Sequence, residues 1–391
     1  MKIPLSYSFR SLWTRKLTTS LTILGVALVA FVFTAVLMLA NGVKQTLVAT
    51  GSPDNAIVLR KSAESETLSI ITFDAADIIG SLPGIATGPD GKPLLTKEVL
   101  TMINLRKHGA SPNDLSNVVV RGVSPDGVLL RPQVKLVSGR MFRFGTSELI
   151  VGNEIADRFG GTEIGKSIKF AGREWKIVGH FDAGRSGFAS DIWGDANQIL
   201  QAFNRQAYSS VVLRLKNPKD FAALKARFQS DPRLNDLKVL REQKFYADQS
   251  QTLANFIRIL GLVITIIFSF GAMIGAMITM YASVANRTVE IGTLRALGFQ
   301  RRSVLGAFLI ESLFIALLGA GVGLVAASML SLLTISTTDF SSFSEIAFGF
   351  SITGRIVIAT LIFAVAMGFI GGFLPSFRAA RLDIVNALRS A

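Results

Sequence analysis

Four uncharged windows constrain this chain more than any other feature. No Asp, Glu, Lys or Arg occurs from Leu17 to Val43, from Ile259 to Asn286, from Ser312 to Thr338 or from Ile356 to Phe377, runs of 27, 28, 27 and 22 residues. About 20 apolar helical residues cross the ~30 Å core of a bilayer, and inside lipid each backbone polar group must be satisfied within its own segment. Four transmembrane helices are therefore predicted. Lys2, Arg10, Arg15 and Lys16 precede the first window as they would in a secretory signal. Its apolar run, however, exceeds the ~7 to 15 residues of a cleavable segment, so it is expected to stay as an anchor. Half of the residues are hydrophobic although the formal charge is +14, which points to a membrane protein and away from a nucleic-acid binder.

Short loops give the orientation, because Lys and Arg favour the cytoplasmic side. The segment before the first window has four basic residues and no acidic one. Between the second and third windows, Arg287, Arg295, Arg301 and Arg302 stand against Glu290 alone. After the fourth, Arg378, Arg381 and Arg389 stand against Asp383, whereas the loop between the third and fourth has Asp339 and Glu345 with no basic residue until Arg355. All four segments place both termini and the 284–303 loop in the cytoplasm and residues 44–252 outside.

That outer region is long enough for a core of its own. It holds 28 Lys or Arg and 22 Asp or Glu, a mildly basic balance that suits a solvated surface. The chain has no cysteine, so the region must hold by packing rather than by disulfides. NAIVLR (55–60) reads as a strand, FDAADIIGSLPG as a short helix, AYSSVVLRLK (207–216) as a strand, PKDFAALKARF (218–228) as an amphipathic helix and DLKVLRE as a strand. These two ends are predicted to form one α/β subdomain. Residues 95–200, rich in short strands and glycine turns, are predicted to form a second, β-rich lobe.

GGTEIGKS (160–167) satisfies the ATP-binding pattern G-x-x-x-x-G-K-[ST]. A phosphate-binding loop follows a buried strand and opens a helix whose amides face the phosphates. Here NEIADRF upstream reads as a helix capped by Asn153 and closed by Gly160 and Gly161, and SIKF and EWKIVGHF downstream read as a hairpin. The order is reversed, so the chain is not expected to hydrolyse ATP. SIITFD (69–74) resembles a magnesium-holding strand end, but Asp74 is expected to cap the helix that follows. His108 and His180 are isolated, and no cluster with metal-ligand spacing or nucleophile elbow is found. No catalytic, cofactor or metal residue is predicted.

In the membrane part, Gly271 and Gly275, Gly319 and Gly323, and Gly368 and Gly372 form G-x-x-x-G pairs, predicted to be close-packing positions and a candidate dimer seam. Glu311 falls roughly 13 Å along the third helix, and a carboxylate there must pair; a structural pairing with Arg295 is expected over ion transport. The second helix, read from Leu253 to Ser283, would measure about 46 Å and project beyond the bilayer as a stalk. MKIPLSYSFRSLWTRK fits an amphipathic helix in the interface. In ANRTVEIGTLRALGFQRRSVL (285–305), Ile291, Leu294 and Leu297 form an apolar stripe, and Gly298 is a candidate C-cap. Such a loop helix suits docking into a groove of a cytoplasmic ATPase.

NRTVEIGTLRALGFQRRSVLGAFLIES resembles the signature of the MacB/FtsX/LolE-type ABC transporter permeases, approximately E-R-x-x-E-I-G-x-L-R-A-x-G before an apolar run and a glutamate. Asn286 departs from the usual acidic residue. PSFRAARLDIVNALR resembles the family's C-terminal motif, with Ile384 in place of proline, and RSLWTRKLTTSLTILG resembles its opening. LIVGNEIADRF through GKSIKFAGREWKIVGHF is similar to the outer domain's β-rich lobe.

The resemblance implies an α-helical membrane protein with four transmembrane helices and a large extracytoplasmic α/β domain, made of the α/β subdomain and the β-rich lobe, inserted between helices 1 and 2. The expected layout is an interfacial helix (1–16), helix 1 (17–43), a periplasmic MacB-like core domain (44–252), helix 2 with its stalk (253–283) and a coupling helix (284–303). Helix 3 (304–334), a short extracytoplasmic loop (335–354), helix 4 (355–377) and a cytoplasmic tail (378–391) follow. The location implied is the bacterial inner membrane. Arg287, Glu290, Ile291, Leu294, Arg295 and Gly298 would form the coupling helix, supported by Arg378 and Arg381. The chain opens almost at helix 1, so the resemblance implies a separate ATPase subunit binding ATP and magnesium, with no cofactor in this chain.

A second permease copy or paralogue would complete a dimer, with membrane lipid around it and a periplasmic adaptor or outer-membrane factor as a further candidate partner. Nucleic acid is not expected as a partner. The expected function is mechanotransmission for export or efflux, or for lipid or lipoprotein extraction. The alternative is an FtsX-like transducer regulating an extracytoplasmic cell-wall hydrolase, against which the size of the outer region weighs. A receptor or scaffold without an ATPase is the third reading.

Overall fold

The computed structural model describes residues 16–111, 114–338, 345–382 and 384. The interfacial helix expected over 1–16 and most of the tail motif after Leu382 lie outside the described residues. Two compact units are formed, one from the described residues of 1–41, 255–333 and 350–391, the other from 42–254 and 334–349.

In chain order the elements are α1 (Lys16–Thr50), β1 (Asn55–Arg60), β2 (Ile71–Thr72), α2 (Phe73–Gly80), β3 (Leu95–Arg106), β4 (Leu115–Val123), β5 (Lys135–Gly139), β6 (Glu148–Gly152), α3 (Asn153–Arg158), β7 (Ser167–Phe170), β8 (Arg173–Asp182) and β9 (Asp191–Asp195). There follow α4 (Ala196–Ala202), β10 (Ala207–Tyr208), β11 (Ser210–Arg214), α5 (Phe221–Ser230), β12 (Leu237–Arg241), α6 (Glu242–Ala285), α7 (Thr288–Ala296), α8 (Arg301–Met329), β13 (Thr334–Thr338), β14 (Glu345–Gly349) and α9 (Gly354–Ala380).

Among the described residues, four helices are long and apolar enough to cross a membrane. They are α1, α6, α9, and α8 together with the single turn that follows it. Within their unit, packing rests on small residues. A Cβ on Gly323 would stand 2.6 Å from the Ala27 carbonyl oxygen, and one on Gly319 2.8 Å from Val26 Cβ, so α8 meets α1 backbone to backbone. Gly368 and Gly372 of α9 seat against Ala316 and Ser312 of α8 in the same way. Thr34 and Thr360 share a buried hydroxyl hydrogen bond of 2.9 Å between α1 and α9. The third pair behaves differently: Gly271 and Gly275, like Gly25, have nothing within 4 Å of a built Cβ. They line a groove of about 380 Å³ between α1 and α6.

The outer unit is built on one ten-stranded sheet, ordered β12-β1-β11-β3-β4-β9-β6-β8-β5, with β7 on β8. An α/β subdomain and a β-rich lobe were expected, and one sheet runs through both. The reason is the length of β3, which spans 12 residues. Its first four pair with β11 and the remainder with β4, so one strand belongs to both lobes. The cores stay distinct. Ile79, Leu224, Phe228 and Val239 pack on the β1 side, and Phe159, Trp175, Ile177 and Ile199 pack around β8 and β9.

Several local expectations are corrected. Gly152, not Asn153, is the N-cap of α3, and Asn153 Oδ1 is buried without a partner. Thr72, not Asp74, caps α2, its hydroxyl accepting from the Ala75 amide at 3.4 Å. Residues 335–354 are not a plain loop: β13 and β14 pair over five positions. This hairpin belongs to the outer unit, where Glu345 meets Lys107 at 2.8 Å and Arg158 at 2.9 Å.

Candidate functional site

The segment expected to act as a coupling helix folds as α7, a nine-residue helix between α6 and α8. One face of it is an anchor. Ile291 is 1% exposed and packs with Met280, Val284, Val304, Phe308 and Ala379. Arg287, just before the helix, donates from Nη1 to Glu311 Oε2 at 3.1 Å and from Nε to Glu290 Oε2 at 3.2 Å, with its guanidinium 5.1 Å from the Phe308 ring centre. The intramembrane carboxylate thus pairs with Arg287, not with Arg295. Both Arg287 and Glu311 are buried, and such a pair persists only when each charge is met by the other.

Arg295 instead donates to the Ala380 carbonyl at 2.9 Å, a cation at the negative end of α9. Gly298 has φ +92°. Its amide bonds the Arg295 carbonyl, and the Phe299 amide bonds that of Leu294, a Schellman arrangement that stops the helix. Arg378 lies over Tyr281 of α6 at 5.6 Å and Arg381 over Phe377 at 4.2 Å. The end of α9 touches α7 through Ala379, which packs with Ile291, and through the Ala380 carbonyl.

An adjoining face of α7 is open. Glu290, Leu294 and Leu297 recur at i, i+4 and i+7; the Glu290 side chain is 58% exposed, Leu297 is 67% exposed and Leu294 is half-buried. Of the predicted stripe, Ile291 is spent on the core and Leu297 stands clear.

The outer unit holds a second constellation, at the start of α6. Arg131 Nη2 donates to Glu242 Oε1 at 3.0 Å, and the other Glu242 oxygen accepts the Ser52 amide and Asn55 Nδ2, each at 2.9 Å. Arg131 Nη1 also pairs with Glu98. Glu98 in turn receives Arg121 Nη1 at 2.7 Å, while Arg121 Nε reaches Asp191 Oδ2 at 2.8 Å and its Nη1 reaches Glu66 Oε1 at 3.1 Å. All six side chains are buried.

The glycine stretch 160–167 lies between α3 and β7. Its amides are used internally, Gly165 donating to the Ile177 carbonyl and Lys166 to that of Glu163, and Lys166 Nζ pairs with Glu163 at 3.1 Å.

Residues 19–231 match the family described as MacB-like periplasmic core domain, and residues 262–384, including all of α7, match the FtsX-like permease C-terminal family. The chain belongs to the MacB/FtsX family of ABC transporter permeases. Relatives of this MacB/FtsX-type permease include a Bacillus subtilis protein described as an uncharacterized ABC transporter permease, YknZ, 25% identical over 97% of this chain and 96% of that one. A macrolide export ATP-binding/permease protein MacB of Brucella abortus is 25% identical over 95% of this chain and 58% of its own length. The permease thus spans just over half of such MacB relatives. The extracellular domain of YknZ from Gram-positive bacteria superposes with a TM-score of 0.36 at 14% identity, covering 48% of this chain and 99% of that one.

The helix Thr288–Ala296 is legible in the sequence of this permease, whereas the Arg121 and Arg131 cluster is not. Its members come from β3, β4, β9, α6 and two loops, and no spacing along the chain announces them.

Proposed function

We propose that this permease couples ATP hydrolysis by a separate cytoplasmic ATPase subunit to movement of its outer domain, exporting or extracting a cargo at the outer face of the membrane. One observation carries the reading: α6 is a single proline-free helix of 44 residues held firmly at both ends. It spans about 66 Å at 1.5 Å per residue. At its start, Glu242 is locked by Arg131, Ser52 and Asn55; near its end, Met280 and Val284 pack on Ile291 of α7. On this reading, α6 is the continuous element along which a displacement of α7 is passed toward the outer domain.

The basic residues around α7 favour the cytoplasmic side for that end of the helices. The outward Glu290, Leu294 and Leu297 face suits an ATPase groove. The open groove at Gly25, Gly271 and Gly275 suits close approach of a second permease copy.

The test is ATPase stimulation in liposomes by the full chain, using the ATP-binding subunit that co-purifies with it in mild detergent. Glu290→Lys and Leu297→Glu are expected to reduce stimulation at least tenfold, about 1.4 kcal/mol, while leaving membrane insertion intact. Failure of any ATP-binding subunit to co-purify, or stimulation unchanged by both substitutions, overturns the reading.

A further inference from the structure

The outer domain buries more negative charge than its cations neutralise. Glu66, Glu98, Asp191 and Glu242 surround Arg121 and Arg131, four carboxylates against two guanidinia, all buried. Burying an uncompensated charge is costly, and the usual escape is a proton.

The hydrogen bonds show which carboxylate takes it. Glu242 accepts from Arg131, Ser52 and Asn55. Glu66 accepts from both Arg121 terminal nitrogens, from Ser210 Oγ at 2.9 Å and from Tyr246 Oη at 2.8 Å. Glu98 is shared by both arginines. Asp191 has one side-chain donor among the described residues, Arg121 Nε at 2.8 Å. A cavity of about 50 Å³ touches Asp191, Glu66, Thr67, Tyr246 and Gln249, enough for a few waters and so for proton access.

We propose that this cluster is a proton-responsive latch of the outer domain, with Asp191 the group that takes up a proton as the surrounding medium acidifies. Burial pushes the Asp191 carboxyl up to about 6, with Arg121 opposing and Glu66 adding to the rise. Glu66 is buried as well, yet Arg121 holds its carboxyl below the ordinary value. Protonation of Asp191 removes its ion pair with Arg121, leaving that guanidinium to Glu66 and Glu98.

Three further carboxylates on neighbouring elements are engaged elsewhere. Glu148 on β6 pairs with Arg140, Glu345 on β14 pairs with Lys107 and Arg158, and Asp195 caps α4 at the far end of β9.

A reporter is built in. The Phe188 ring lies 4.9 Å from the Arg121 guanidinium and 4.4 Å from that of Arg131, and it meets Trp193 edge-on at 5.5 Å. The proposal concerns this domain alone and stands or falls independently of the ATPase partner.

The experiment is intrinsic fluorescence of the full chain carrying Trp13→Phe and Trp175→Phe in detergent, from pH 4.5 to 8, so that Trp193 is the sole emitter. A sigmoidal transition with a midpoint near pH 6 is expected, and Asp191→Asn abolishes it. Glu66→Gln, which removes a like charge, shifts the midpoint down by about one pH unit. Histidine also titrates in this range, so His108→Gln with His180→Gln is expected to leave the transition in place. A flat profile between pH 5 and 7, a transition that survives Asp191→Asn, or one that disappears with the histidines overturns the latch.

Discussion

Arg131 and Asp191 sit in the same cluster and should respond to substitution in opposite ways. Arg131 is fully buried and is the guanidinium that reaches both Glu98 and Glu242. Arg131→Met leaves Glu242 without its cation, so a loss of about 3 to 5 kcal/mol is expected, read as a fall in the denaturation midpoint of the full chain. Asp191→Asn leaves Arg121 still matched by Glu66 and Glu98. The folded-state value of Asp191, about 6, lies above the ordinary 3.8. Its contribution is therefore fully present below about pH 3.8 and is lost as pH rises through 6. Relative to the parent, Asp191→Asn should thus raise the melting temperature more at pH 8 than at pH 5, and an effect of the reverse sign would refute the raised carboxyl. None of these roles was legible in the sequence, because a carboxylate's partners depend on which strands lie side by side.

Among the elements, α7 divides into an anchoring and an exposed face. Ile291→Asp places a charge in the Met280, Val284 and Phe308 cluster and is expected to lower folded yield on size-exclusion chromatography, whereas Leu297→Glu keeps the yield and affects coupling alone. Gly298→Ala forces a side chain into φ +92° and should cost about 1 kcal/mol of the helix stop, seen as a lower thermal midpoint. Periodicity found this helix and its glycine stop. It could not tell Ile291 from Leu297, because both lie on the apolar stripe and only the packing of α6, α8 and α9 decides which is covered. For α6, the start at Glu242 came about a dozen residues before the expected Leu253, since hydropathy marks where lipid begins and a helix continues past that point in polar residues. β3 shows a similar limit: its strand character is readable, its change of partner halfway along is not.

For the molecule as a whole, the glycine pairs separate internal packing from an open surface. A Cβ at Gly271 or Gly275 meets nothing within 4 Å among the described residues, so with Gly271→Leu and Gly275→Leu the monomer fold should persist while the dimeric fraction in nanodiscs, measured by light scattering, falls. Gly323→Leu drives a side chain into the Ala27 carbonyl and the Ala30 methyl and should lower folded yield. The chain has no cysteine, so single cysteines at Leu297 and Lys169 report topology directly. An impermeant maleimide added outside intact cells should label the second and spare the first; the reverse pattern would invert the orientation.

The sequence by itself determined the four apolar spans, the short helix over 288–296 with its glycine stop, and the helix-before-strand order around GGTEIGKS. Each is written in local quantities: the length of an uncharged run, the period of an apolar stripe, the order of helix and strand around a glycine turn. Tertiary structure alone decided that Glu311 pairs with Arg287, that one sheet joins both lobes, that the β13 and β14 hairpin belongs to the outer unit, and that four carboxylates meet two arginines at the start of α6. These depend on side chains far apart in the chain whose charges are stable in the interior only when folding brings their partners within hydrogen-bond distance.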